Sequence, residues 1–267
     1  MFVSLINKCD VSYKNKMLSS HVCINCGTKI SQLYKEYSPT VLKLTKCEQC
    51  GQTADKYVEI DLGIIVIDLV LLKTEAYRHI LCNTEFKFHW KLAIILHTIE
   101  AYYEWMLKTP DLEYQPNHFD VNEFTVDDLM FYNICFLVFI KTSTFILLIY
   151  FLTLLRNKKY DIKKSYKNLF LETWKCVTLS SFGLFLLVPS FIWGGKSTLD
   201  NSMTFVTFFT TLSQLFAYRA TNNYSREWSI FVILTSNIFS ILSHFSINYL
   251  LNKHLNLGYV SSLGYLM

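Results

Sequence analysis

The sequence predicts a mainly α-helical membrane protein with a small β-ribbon near its N-terminal end. Composition is the first reason: 52% of residues are apolar, 17% charged and 16% aromatic, and Phe occurs 21 times. With eight Gly and four Pro there is little material for loops, which is the profile of apolar helices joined to a modest head. The second reason is a pair of knuckles, Cys23-Ile24-Asn25-Cys26-Gly27 and Cys47-Glu48-Gln49-Cys50-Gly51. Two Cys-x-x-Cys pairs at this separation suit a ribbon in which four thiolates surround one tetrahedral zinc ion. The Gly after each pair lets the backbone curl around the sulfurs.

Residues 1–20 read as a polar tail. Lys8, Lys14 and Lys16 interrupt it, and residues 1–22 hold no apolar run of signal-peptide length. A thiolate cluster belongs on the reducing side of a membrane, so the head is expected in the cytosol. Cys9, Cys82, Cys135 and Cys176 stand alone and read as small apolar fillers. Residues 21–60 form the ribbon, with strands expected at 29–33, 41–45 and 57–60 and a turn at Ser38-Pro39. So small a sheet buries little, and metal binding supplies much of its folding free energy.

From 61 to 83, apolar residues surround the single acid Asp68, and Lys73, Glu75, Arg78 and His79 follow. The uncharged stretch is too short to span a bilayer, which leaves an amphipathic or hairpin-like helical element at the interface, or a helix capping the ribbon. About five transmembrane helices are expected within 88–251: 88–107, 130–155, 171–193, 201–218 and 228–251, before a tail at 252–267. In the first, His97, Glu100 and Glu104 share one helical face, while Trp90 and Trp105 mark its ends.

Charge distribution sets the orientation. Residues 109–129 hold Asp111, Glu113, Asp120, Glu123, Asp127 and Asp128 with no Lys or Arg, whereas 156–168 hold Arg156, Lys158, Lys159, Lys163, Lys164 and Lys167. The basic loop belongs in the cytosol. A cytosolic N-terminus then needs an even number of crossings before Arg156, and counting 88–107 as a span provides it.

Three stretches resemble the homology domain of the Arv family: the two knuckles, Asp55-Lys56-Tyr57-Val58-Glu59-Ile60-Asp61, and Ile67–Lys73 followed by Ala76-Tyr77-Arg78-His79-Ile80-Leu81-Cys82-Asn83. The resemblance covers 23–83 and departs from the expected pattern at Cys82, where a larger apolar residue belongs. It implies zinc ligands at Cys23, Cys26, Cys47 and Cys50. It also implies residence in the endoplasmic reticulum and also the Golgi, a role in distributing sterol between membranes, and links to sphingolipid balance and glycosylphosphatidylinositol-anchor synthesis.

Four thiolates leave no open position for water, so the metal is expected to be structural. Arg78 and His79 are candidates for lipid-headgroup or partner contact, the alternative being a salt bridge to Asp61, Asp68 or Glu75. Glu100 and Lys141 come to similar depths in antiparallel neighbours and are expected to pair, with His97 nearby; the pair either joins two helices or receives a sterol hydroxyl or lipid head. The chain contains no His-Glu-x-x-His, Gly-x-Ser-x-Gly or phosphate-binding Gly loop. An enzyme is therefore not expected, and a net charge of +4 gives no reason to expect nucleic acid. The expected partners are membrane lipids, foremost sterol, or membrane-bound enzymes of lipid or anchor synthesis.

Overall fold

The computed structural model describes residues 21–38, 41–108, 121–159, 165–193 and 196–255. The expected N-terminal tail, most of the C-terminal one, Pro39 of the turn and parts of both charged loops lie outside these residues. Contacts divide the chain into two units: one takes residues up to Leu96 together with Lys163–Phe231, the other His97–Ile162 with the residues from Val232.

The first unit opens with the ribbon. Strands β1 (His21–Val22) and β2 (Lys29–Ile30) flank the first knuckle and pair antiparallel, His21 opposite Ile30. Strands β3 (Tyr34–Ser38) and β4 (Val41–Leu44) form a second hairpin, Tyr34 opposite Leu44, with a bulge between Glu36 and Ser38. The sequence expectation joined 29–33 to 41–45. Instead the tight knuckle turns Lys29–Ile30 back onto its own approach strand, and Tyr34 starts the next ladder. Tyr57–Ile60 is not a strand either, because Lys56–Glu59 is a 3-10 turn. The Asp55 carboxylate accepts the Tyr57 N–H at 3.0 Å and caps that turn.

A helical hairpin follows: α1 (Leu62–Val70), α2 (Thr74–Arg78) and a π-helical turn at His79–Asn83. At its bend Leu72 adopts a φ of 57°. Ile65, Leu69, Ala76 and Tyr77 turn inward and are buried. The hairpin packs against α7 (Lys196–Asn222). Also against α7 lies a helix in three pieces: α5 (Tyr166–Ser180), a 3-10 segment Ser181–Leu186, and α6 (Leu187–Trp193). Tightening at the middle has local causes. Ser180 and Ser181 hydroxyls both donate to the Val177 carbonyl, and Pro189 lacks the N–H that Phe185 would otherwise receive. Gly183 sits there because a β-carbon would collide with the Phe209 ring.

The second unit is built from α3 (His89–Lys108), α4 (Val121–Lys159) and α8 (Arg226–Leu255), with the first turns of α3 and α8 belonging to the other unit. Its core joins Ala101 on α3 to Met130, Ile134 and Val138 on α4, with Trp105 and Cys135 packed alongside. Helix α4 begins earlier than expected and absorbs part of the acidic loop, and α7 likewise absorbs most of 194–200.

Among the described residues three helices are long and apolar enough to cross a membrane: Leu129–Lys158, Tyr166–Trp193 and Arg226–Lys253. This is a membrane protein. The other two expected spans are helical as well, but ionisable residues dilute α3, and Ser, Thr and Asn dilute α7.

Candidate metal centre and interhelical ion cluster

The two knuckles fold alike. Gly27 N–H donates to Cys23 O and Gly51 N–H to Cys47 O, each at 2.9 Å. The glycines take φ values of 80° and 71°, which side chains disfavour. Cys23 and Cys47 donate their own N–H groups to Thr28 O and Gln52 O at 2.8 Å, so each loop closes around its pair. The four sulfurs of Cys23, Cys26, Cys47 and Cys50 consequently lie within 4.8 Å of one another and could hold one metal ion. Across the knuckles, Cys23 and Cys50 sulfurs are 3.8 Å apart, and those of Cys26 and Cys47 3.6 Å. Metal–sulfur bonds of ~2.3 Å in a tetrahedron require sulfurs ~3.8 Å apart, so the donor set fits.

The thiols are unequal. A hydrogen bond with the Thr28 side chain brings Cys26 down to about 6. At Cys50 the Gln52 amide pulls the same way, but burial and the neighbouring sulfurs outweigh it and raise the thiol to about 11. A cation that replaces these protons removes the conflict.

The ribbon is fastened to the hairpin through Asp55, a fully buried carboxylate. Its Oδ2 is 2.8 Å from His79 Nδ1 and accepts from Asn83 Nδ2 at 2.7 Å. Asn83 also exchanges two hydrogen bonds with the Val22 backbone, both at 2.9 Å. His79 thus faces a carboxylate inside the protein.

Arg78 does not take the expected acidic partners. Asp68 is occupied by Lys73 Nζ at 2.8 Å and the Tyr57 hydroxyl at 2.7 Å, and Glu75 pairs with Lys56 at 2.5 Å. The Lys73 hydrogen bond, then that of Tyr57, holds the Asp68 carboxyl below its usual range. Arg78 Nη1 instead donates to the carbonyls of Ile24 at 2.8 Å and Asn25 at 2.7 Å, inside the first knuckle. Its Nη2 donates to Asn223 Oδ1 at 2.8 Å, and Nε to Ala220 O at 3.4 Å, at the end of α7. A planar fork with fixed donors suits this four-point joint, and these four acceptors are protein atoms. Asn223 adds a donation from Nδ2 to Gly27 O at 3.2 Å.

In the second unit, Lys141 Nζ lies 2.6 Å from Glu100 Oε1 and 4.0 Å from Glu104 Oε1. His97 Nε2 is 3.0 Å from the Cys135 carbonyl. His244 on α8 brings Nε2 within 3.3 Å of Glu104 Oε2. The polar stripe of α3 meets basic side chains on both α4 and α8.

Asp55, Asn223 and His244 are members of these sites that the sequence alone does not single out. Asn223 carries a readable signal: Asn just beyond a helix favours the left-handed conformation, and its φ is 51°. Asp55 and His244 gain their roles only from contacts distant in sequence.

No solved structure is matched by the chain. The chain is 34% identical to Protein ARV1 of Mus musculus over 213 residues, covering 80% of this chain and 78% of that protein. It is 33% identical to Protein ARV1 of Homo sapiens over 232 residues, covering 84% and 80%. With Protein ARV1 of Saccharomyces cerevisiae identity reaches 48%, but over 62 residues, or 23% of this chain and 19% of that protein. The model of the Arv1-like family matches residues 22–218, from the first strand of the ribbon to the last turns of α7, and the chain belongs to that family.

Proposed function

We propose that this chain is a non-enzymatic mediator of sterol homeostasis, resident in the endoplasmic reticulum and also the Golgi, that distributes sterol and other lipids from the endoplasmic-reticulum membrane. The observation that carries the reading is the extent of the family match: residues 22–218 run from the cysteine head through two of the apolar helices. The resident metal in this reading is zinc, bound by Cys23, Cys26, Cys47 and Cys50. Four thiolates close its coordination sphere, so it holds the knuckles together and offers no site for substrate. The basic residues between Arg156 and Lys167 support a cytosolic head. Helices α3 and α7 complete five crossings, with Glu100 of α3 and Ser213 of α7 paired to other helices.

Glu100 and Lys141 give this body an ionic point between apolar helices, suited to a lipid hydroxyl or to joining the helices alone. The second reading is an accessory subunit for membrane enzymes of anchor or sphingolipid synthesis.

The test uses purified full-length protein in vesicles, with sterol transfer to acceptor vesicles as the readout. Transfer that rises with protein and is lost on metal removal supports the first reading. No transfer, from protein that still restores sterol distribution in cells lacking their own family member, overturns it in favour of the accessory role.

A further inference from the structure

We infer that the hairpin Leu62–Arg78 is a wedge that enters the lipid leaflet on the ribbon side, with Ile64, Ile67, Val70 and Leu71 as its acyl-chain-facing surface. The inference rests on Tyr166–Trp193 being a span and is independent of the sterol role.

The four side chains form one face. Ile64, Ile67 and Leu71 recur at helical spacing, Val70 lies beside them, and all are well exposed, Leu71 at 62% and Ile67 at 57%. On the opposite face Leu69 and Ile65 pack inward. An exposed apolar row alone would not say what covers it. Its depth does.

Depth follows from three contacts within the first unit. Helix α7 runs antiparallel to Tyr166–Trp193: the Thr221 hydroxyl meets Cys176 Sγ at 3.9 Å, and Phe209 meets Phe182 with ring centroids 5.7 Å apart. Ser213 falls between these two levels, inside the apolar part of the span. The Tyr77 hydroxyl lies 2.8 Å from Ser213 Oγ and donates to Leu69 O at 3.2 Å. The C-terminal end of α1 is thereby fixed at the level of Ser213, about two turns or ~10 Å back from Ala220 toward the N-terminal end of α7. Ala220 is where Arg78 binds, beside the knuckle. A descent of ~10 Å below the level of the head is what an interfacial helix makes into a leaflet.

The charges fit that position. Asp68, the acid within α1, has one oxygen on Lys73 and the other on the Tyr57 hydroxyl. Neutralised and hydrogen-bonded, it can accompany the helix below the headgroups at reduced cost. The left-handed turn at Leu72 reverses the chain immediately after Leu71, and Lys73, the next residue of the bend, is tied back to Asp68.

The experiment places an environment-sensitive fluorescent amino acid at Leu71, at Leu186 on the span, or at Lys35 on the ribbon, in full-length protein reconstituted in phosphatidylcholine vesicles. Nitroxide lipids labelled near the headgroup or near the chain end serve as quenchers. All three side chains are exposed, so the probes leave the fold intact. Expected is blue-shifted emission at Leu71, with quenching several-fold greater than at Lys35 and stronger from the shallow nitroxide than from the deep one. Leu71 resembling Lys35 while Leu186 is quenched overturns the wedge and leaves the span standing. An unquenched Leu186 removes the span and the wedge together. Neither outcome touches the transfer assay, whose failure is separate.

Discussion

The side-chain amide of Asn223 occupies the space over Gly27 that a β-carbon would need, and donates to the Gly27 carbonyl at 3.2 Å. A cysteine knuckle is thereby seated on the end of a helix that lies far away in sequence.

Gly27→Ala should destabilise the seated head by about 1–3 kcal/mol, combining the left-handed penalty with displacement of Asn223. Removing Asn223 opens the space again. The double variant Gly27→Ala with Asn223→Ala should therefore cost less than the sum of the singles. Denaturant unfolding followed by limited proteolysis of the head measures this; strict additivity would contradict the contact.

Cys47→Ser should abolish stoichiometric metal binding and leave residues 21–60 protease-sensitive, as should chelation of the wild type. Cys82→Ser should keep one ion per chain. Metal analysis by mass spectrometry decides, and a full complement of metal in Cys47→Ser would remove the four-sulfur site.

Arg78→Lys should fail to substitute for arginine. An ammonium cannot reach two knuckle carbonyls, Ala220 O and Asn223 Oδ1 at once, and each buried carbonyl left unpaired costs about 1–3 kcal/mol. Both Arg78→Lys and Arg78→Ala should release the head to protease to similar degrees. Rescue by lysine, together with dependence on anionic lipid, would instead make Arg78 a headgroup contact.

Lys141→Met should cost about 3–5 kcal/mol, because it strands Glu100 between helices, while Glu104 keeps His244 and Lys108 beside it. Exchanging the charges, Glu100→Lys with Lys141→Glu, should restore only part of what either reversal loses, since the new acid would face Glu104, now 4.0 Å from Lys141 Nζ. Thermal unfolding in detergent reads the order: wild type, exchange, single reversals. Full restoration would show that Glu104 is outside the cluster.

Asp68 gives a pH signature. Its carboxyl is held below the ordinary range by Lys73 and Tyr57, so the folded state binds fewer protons than the unfolded one. The stability this adds is complete above the unfolded value of ~3.9 and is lost as pH falls through the folded one. Asp68→Asn should flatten that acid limb relative to wild type at equal metal loading, seen in the pH dependence of the unfolding midpoint.

What the sequence makes legible follows from local chemistry. Paired Cys-x-x-Cys-Gly signals specify a knuckle because spacing and φ > 0 are local requirements. Long apolar runs specify helices for the same reason, and Glu100 meets Lys141 because helical rise converts sequence position into depth. The pairing of Lys29–Ile30 with His21–Val22 is not legible, since short strands have little pattern and the knuckle decides their partner. Tyr57 reads as a strand residue because its alternation hides a capping carboxylate two residues earlier. Arg78 invites pairing with the acids nearest in sequence, while its acceptors stand on Ile24, Asn25, Ala220 and Asn223.

Arg78 reaches Asn223 across 145 positions of chain. During synthesis the cysteine head leaves the ribosome first, and at about 5–20 residues per second it waits on the order of ten seconds before Asn223 is made. Throughout that interval the guanidinium lacks half of these acceptors. Completion of the head is thus a late event that waits on synthesis of α7, and a nascent chain stalled before residue 220 would display an unseated knuckle to quality control.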